Sequence, residues 1–275
     1  MKQILLCSFL FCSGLSTAQQ HLTKNEGIDS LTAVQVKAKA NELSGAAFLK
    51  GFYTSGTTKL PYRLLLPPAG ATGQKYPLVI ILHHSGKIAS DNEAQLDPLA
   101  KTWLRETVRK RFPAYVLAPQ FAQRSSNYHP ENGILVSKPS ADVAAVLELI
   151  SSLEQQYPDI DRSRIYLMGY SMGGSTTQNL MSLAPQRFAA LVSIAGVPDV
   201  SALQAFQHKP IWLIHGQQDD DNPYSGSVYL FQKLKGNKQL LFTTYSQLNH
   251  GNITVPFLQS DAIAEWLFRH KVKAR

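Results

Sequence analysis

Short, nearly continuous apolar runs recur along the chain. Residues 78–82 form the first, and residues 115–118, 165–168, 191–194 and 211–214 follow; residues 240–243 are a sixth, less purely apolar. A strand buried on both faces has this composition, and such strands belong to parallel sheets covered by helices. Between the runs the period changes. Val143, Val146, Leu147, Ile150 and Leu153 recur at helical spacing, with Ser140 as the expected N-cap. Residues 176–183, 228–234 and 262–268 read as further helices. Residues 48–53 and 62–66 read as two strands around the turn signal Ser55-Gly56. This alternation predicts an α/β fold: one mostly parallel central sheet with helices on both faces. The polar stretch 120–139 is expected to be a long loop near the strand ends, where substrate loops sit.

The first stretch follows neither period. Lys2 precedes an apolar run over residues 4–15, and Ser16-Thr17-Ala18 follow it. A basic start, a short apolar segment and a small-residue site have the form of a secretory signal peptide, with cleavage expected after Ala18. The run is too short to span a bilayer. Residues 1–18 are therefore expected to direct export, to the periplasm or the medium. Residues 19–45, polar and Ala-rich, are expected to be a leader or peripheral segment, and residues 46–275 the folded domain.

Composition adds exclusions. The 275 residues are 44% hydrophobic and 17% charged, ordinary for one globular domain. Cys7 and Cys12 both lie in the first stretch, so disulfides and cysteine chemistry are excluded from the mature chain. The net charge is +8, with basic clusters at residues 101–111 and 269–275. The first alternates with Trp103, Leu104 and Val108 and reads as the wet side of an amphipathic helix; the second reads as a tail. No aromatic or glycine-rich recognition motif accompanies the charge, which argues against nucleic-acid binding. Nothing in the sequence fixes an oligomeric state.

The chemistry centres on Gly169-Tyr170-Ser171-Met172-Gly173. This G-x-S-x-G follows the apolar run 165–168 directly and precedes a helical stretch. A serine on a sharp strand-to-helix turn needs small neighbours, and the helix N-terminus behind it favours developing negative charge. A serine hydroxyl is a weak nucleophile at neutral pH. It needs a base within hydrogen-bond reach, and the base needs a third group to hold its tautomer. In this arrangement the acid and the histidine follow the serine in that order. His250, in the polar loop after the last predicted strand, is the expected base. His215 ends a strand and is expected to shape its turn; His208 stands at the wrong edge of the sheet and His270 in the basic tail. Asp219, Asp220 and Asp221 stand in the loop where the acid belongs, with Asp199 a fourth candidate. Position alone does not separate the first three. Two backbone N–H groups must meet the tetrahedral oxygen: one from Met172, after the nucleophile, the other from the loop His83-His84-Ser85-Gly86. Adjacent side chains on an extended backbone point apart, so His83 and His84 do not make a metal pair.

These residues resemble the esterase and predicted-peptidase branch of the α/β hydrolases, related to polyhydroxybutyrate depolymerases, feruloyl esterases and acyl-protein thioesterase-like carboxylesterases. The resemblance runs from about residue 62 to 268. It rests on Tyr76-Pro77-Leu78, Ala118-Pro119-Gln120, Asp161-Arg162-Ser163-Arg164, the Ser171 motif, Pro185-Gln186-Arg187-Phe188 and His215-Gly216 followed by Asp219 and Pro223. It implies a three-layer α/β-hydrolase fold. It selects Asp219 as the acid, through His-Gly-x-x-Asp and the following proline, and Ser85 as the second oxyanion donor. It also implies a serine hydrolase that cleaves a small carboxylic ester through an acyl-enzyme, without metal or cofactor. Peptidase, lipid-hydrolase and thioesterase activities share the triad, and a silent binding protein shares the fold. This chain departs from the family's His-Gly-x-Gly at His84, and Lys87-Ile88-Ala89 replace the acidic and arginine residues common after that loop.

Overall fold

The computed structural model describes residues 19–70 and 73–272. The signal-peptide stretch and the end of the basic tail lie outside the described residues. The strands are β1 (Gln20–Lys24), β2 (Phe48–Ser55), β3 (Thr58–Leu65), β4 (Tyr76–Leu82), β5 (Tyr115–Pro119), β6 (Ser126–Glu131), β7 (Ile134–Pro139), β8 (Ile160–Tyr170), β9 (Ala190–Ile194), β10 (Ile211–Gly216) and β11 (Leu240–Tyr245). The helices are α1 (Ser30–Asn41), α2 (Pro98–Lys101), α3 (Glu106–Arg111), α4 (Val143–Gln156), α5 (Met172–Leu183), α6 (Leu203–Phe206), α7 (Tyr224–Lys233), α8 (Val255–Leu258) and α9 (Ala262–Leu267).

Nine strands form one sheet in the order β1-β11-β10-β9-β8-β4-β5-β3-β2. All pairings from β1 through β5 are parallel; β3 runs antiparallel to β5 and β2 antiparallel to β3. All six apolar runs are strands of this sheet. Their alternation feeds two cores. Val79 and Ile81 of β4, Tyr166 and Met168 of β8 and Val192 of β9 enter one, under α2, α3, α8 and α9. Leu78, Ile80, Ile165, Leu167 and Leu191 enter the other, under α4, α5 and α7. Both faces of each central strand are thus covered, which is why these runs are almost free of polar positions.

Three expectations need correction. Only residues 120–125 of the expected loop are irregular; beyond them β6 and β7 form an antiparallel hairpin of their own. Its turn is Asn132-Gly133, both with positive φ (50° and 79°), the Asn-Gly pair that a tight two-residue turn favours. The hairpin's inward residues Ser126, Tyr128 and Ser137 are polar because they meet the polar flank of α5. Residues 19–45 form a peripheral segment, one of the two arrangements expected for them. β1 extends the sheet beside β11 although every one of its residues is exposed, because ladder pairing needs backbone alone. Asp29 caps α1 through Thr32 N (2.9 Å). Only Ala33 and Ala40 of α1 are buried, so no apolar stripe announced the helix.

Residues 101–111 are not one helix. Trp103 and Val108 are both buried, yet five residues of α-helix would set them about 140° apart. A break at Arg105, extended at ψ 133°, turns both inward. Finally, Asp142 rather than Ser140 occupies the cap position of α4, with no side-chain cap bond.

Candidate active site

The sequence-predicted residues meet at the carboxyl ends of the parallel strands, the edge where open α/β sheets bind ligands. Ser171 stands between β8 and α5 at φ 57°, ψ −122°. A non-glycine residue held there costs on the order of 1–3 kcal/mol. Its N–H donates to Ile194 O (2.8 Å), which holds the turn to the end of β9. The turn closes only because its flanks have no side chains. A Cβ on Gly169 would stand 2.5 Å from the Gly173 carbonyl, and one on Gly173 only 1.9 Å from Leu82 O. The first turn of α5 therefore lies flush against the end of β4. That contact sets Met172, the first residue of α5, beside the loop holding His83, His84 and Ser85. The leading N–H groups of a helix have no partners within it and face such a site. Ser85 opens a short 3-10 turn, Ser85–Lys87, in that loop.

His250 follows β11 and reaches both partners. Its Nδ1 lies 2.8 Å from Asp219 Oδ2, and its Nε2 lies 2.9 Å from Ser171 Oγ. An ionised carboxylate only accepts, so Nδ1 carries the proton and Nε2 accepts from the serine hydroxyl. Ser171 and His250 are each about 8% exposed, open enough for an incoming group and closed enough to exclude bulk water.

Asp219 is the acid that His250 meets. Its Oδ1 accepts from the Asn222 and Asp221 N–H groups (2.8 and 3.1 Å). Its Oδ2 faces both His250 and His215 Nε2, the latter at 3.1 Å. Burial penalises the charged carboxylate, but donation from His215, His250 and Asn222 outweighs it and holds Asp219 well below the usual carboxylate range. Asp220 is exposed. Asp221 is 72% exposed, with Oδ2 3.9 Å from His250 Nε2. Asp199 is buried elsewhere, accepting from Asn179 Nδ2 (2.9 Å) and from Ser201.

Several contributors were not legible beforehand. His215 does more than shape its turn. Its Nε2 faces two acceptors, Asn222 O at 3.0 Å and the Asp219 carboxylate, while Ser227 lies 2.7 Å from Nδ1. The His-to-Asp spacing of four residues was the available signal. Asn222 donates to Ala195 O (2.7 Å), tying the acid loop to the end of β9. Tyr170 donates to His250 O (2.8 Å), and its ring lies 5.0 Å from the imidazole. Burial, with the nearby Asp219 charge, pushes its phenol up.

The two histidines after β4 diverge, as adjacent side chains must. His83 is buried; its Nδ1 donates to His84 O (2.9 Å), and its Nε2 accepts from Phe121 N–H (3.0 Å). Burial lowers its pKa. It pins this loop to the one after β5. His84 turns the other way, accepts from Gly86 N–H (3.2 Å) and packs on Tyr170. Burial, aided by Lys87, His250 and Lys37, brings its pKa down to about 4. Among the described residues no group of three metal-ligating side chains is assembled.

Comparison with known proteins finds relatives among esterases and peptidases. Residues 137–212 match the prolyl oligopeptidase family. A 79-residue stretch is 35% identical to a bifunctional acetylxylan esterase/xylanase of Neocallimastix patriciarum, covering 29% of this chain and 12% of that enzyme. A thermostable esterase of known structure superposes with a TM-score of 0.72 at 31% identity, over 82% of this chain and 63% of the esterase. The acylaminoacyl peptidase of Pyrococcus horikoshii, at 18% identity and a TM-score of 0.58, shares the fold over 83% of this chain and 43% of its own. The chain thus spans less than two thirds of the length of each of these proteins. Sheet order, strand-to-helix serine and flanking loops define an α/β hydrolase. Within that class the chain is similar to esterases and peptidases.

Proposed function

We propose that this protein is a serine hydrolase of carboxylic esters, with Ser171, His250 and Asp219 as its triad. The observation that carries the reading is the unbroken hydrogen-bond chain from Ser171 Oγ through both nitrogens of His250 to Asp219. The Ser171 hydroxyl attacks the ester carbonyl while His250 Nε2 takes its proton. The tetrahedral oxygen accepts from the N–H groups of Met172 and Ser85. His250 returns the proton to the leaving alcohol, and the acyl group stays on Ser171. Water, deprotonated by His250, then releases the acid and restores the serine. Asp219 remains ionised throughout, keeping the proton on Nδ1 and stabilising the imidazolium. No cofactor takes part.

Labelling with a fluorophosphonate tests the nucleophile. Wild type is expected to be modified at Ser171, and Ser171→Ala to lose both labelling and aryl-ester hydrolysis, the latter by about 10⁴-fold or more. Labelling that survives the substitution would refute the assignment. The match of residues 137–212 to the prolyl oligopeptidase family favours a second reading, a peptidase. Matched pairs of acyl esters and acyl anilides separate the two; the ester reading expects cleavage of the esters alone. The reading also includes export, with cleavage after Ala18, which N-terminal sequencing of the mature protein checks.

A further inference from the structure

A cavity of about 380 Å³ adjoins the triad on the His250 side. Its walls come from five places in the chain: Lys37 and Asn41 of α1, His84 and Lys87 after β4, Asp97 at the start of α2, Tyr170 before the nucleophile, and Gly251 after His250. Such a volume accommodates a substantial part of a small organic molecule. The cavity shares residues with the catalytic machinery. His84 packs on Tyr170, Tyr170 packs on the His250 ring, and Gly251 is bonded to His250 itself.

Two lysines and one buried acid line this cavity. Lys37 and Lys87 are both half-buried in its wall. Lys37 Nζ donates to Gly251 O at 2.5 Å, leaving two of its three protons for another acceptor. Among the described residues, Lys87 Nζ has neither a hydrogen bond nor an ion pair within 4.0 Å. The one acidic group in the lining is Asp97, which is buried beneath, accepts from Ala100 N–H (3.0 Å) and is itself pushed up by burial. His84 is neutral at ordinary pH and adds no opposing charge. A pair of ammonium groups lining one cavity favours an anionic occupant.

We infer that this cavity is a specificity pocket for a carboxylate carried by the substrate, held by Lys37 and Lys87 beside the scissile ester. The inference rests on the ester-hydrolase reading above and gives it a substrate class: half-esters or other acidic esters rather than neutral ones. It also gives α1 a role, since Lys37 comes from a segment that pattern alone would assign to the periphery.

Two measurements test this pocket. The first compares kcat/KM for acidic and neutral esters of similar size: 4-nitrophenyl hemisuccinate against 4-nitrophenyl butyrate for the acyl side, and 4-acetoxybenzoate against phenyl acetate for the alcohol side. The acidic member of at least one pair is expected to be preferred by about tenfold or more. Lys37→Met and Lys87→Met should remove that preference and Lys37→Arg and Lys87→Arg should retain it, read within each variant as the ratio of acidic to neutral ester. The second measures benzoate and benzamide binding to Ser171→Ala by calorimetry, with and without the lysine substitutions. Lysine-dependent preference for an acidic ester, or lysine-dependent binding of benzoate over benzamide, sustains the pocket. Absence of both overturns it. Benzoate binding without hydrolysis of any ester sinks the ester reading and leaves the pocket standing; ester hydrolysis indifferent to charge, with no benzoate binding, does the reverse.

Discussion

Single residues decide whether the nucleophile turn closes and how the site responds to acid. Gly173 has backbone on its open side, 1.9 Å from where a Cβ would lie. Backbone at the end of β4 cannot swing away as a side chain can. Gly173→Ala is expected to cost about 3 kcal/mol, the upper end for overpacking. That corresponds to a melting temperature lowered on the order of 10 °C in a domain of this size, measurable by calorimetry. His84 governs a different property. Its pKa falls from 6.5 to about 4, through burial first and then the neighbouring cations. Because the folded state disfavours its proton, the neutral ring's contribution is complete above about pH 6.5. It is lost progressively as pH falls toward 4. His84→Asn should therefore flatten the dependence of melting temperature on pH across that window. It should not abolish the dependence, since His270 is lowered to about 4 by its own burial. A variant curve parallel to wild type across the window would count against the assignment.

Among the elements, the β6–β7 hairpin depends on a buried polar seam along α5. Ser126 Oγ donates to Asn179 Oδ1 (2.8 Å), Asn179 Nδ2 reaches Ser137 Oγ and Asp199 Oδ2, and Ser125 pairs with Thr176 (2.8 Å). Replacing Asn179 with Ala strands buried groups on three elements, at roughly 1–3 kcal/mol for each group left unpaired. Asn179→Ala is expected to lower stability and to speed hydrogen exchange over residues 126–139 ahead of the central strands. Uniform exchange across the chain would show that the seam does not hold the hairpin specifically. This seam also explains what the sequence hid. The six central strands were legible because burial on both faces leaves an unmixed apolar signature. The hairpin was not, because its partner is a polar helix flank carrying Ser175, Thr176 and Asn179, so its inward residues look like loop residues; the Asn132-Gly133 pair was the one local clue. Helix α1 lacks an apolar stripe for a related reason, having only two alanines to bury. The residues of the proposed triad could be picked out because each sits at a strand end in a fixed order. His215 was read only in part, because its contact with Asp219 depends on the fold of the turn between them.

At the scale of the whole molecule, the +8 charge and the two pocket lysines act on an acidic substrate over different ranges. A net charge spread over the surface produces a field that attracts anions before contact, and salt screens it over a Debye length of about 10 Å at 0.1 M. Lys37 and Lys87, half-buried in the cavity wall, act at contact and are screened less. The two contributions separate in one experiment. For an acidic ester, kcat/KM is expected to fall as ionic strength rises from about 0.01 to 0.3 M, while the matched neutral ester stays level. In Lys37→Met and Lys87→Met the acidic ester should be cleaved less efficiently at every salt concentration, yet most of the salt dependence should remain, because the rest of the basic surface is untouched. If the substitutions remove the salt dependence altogether, the attraction resides in the pocket alone and the overall charge has no part in substrate capture.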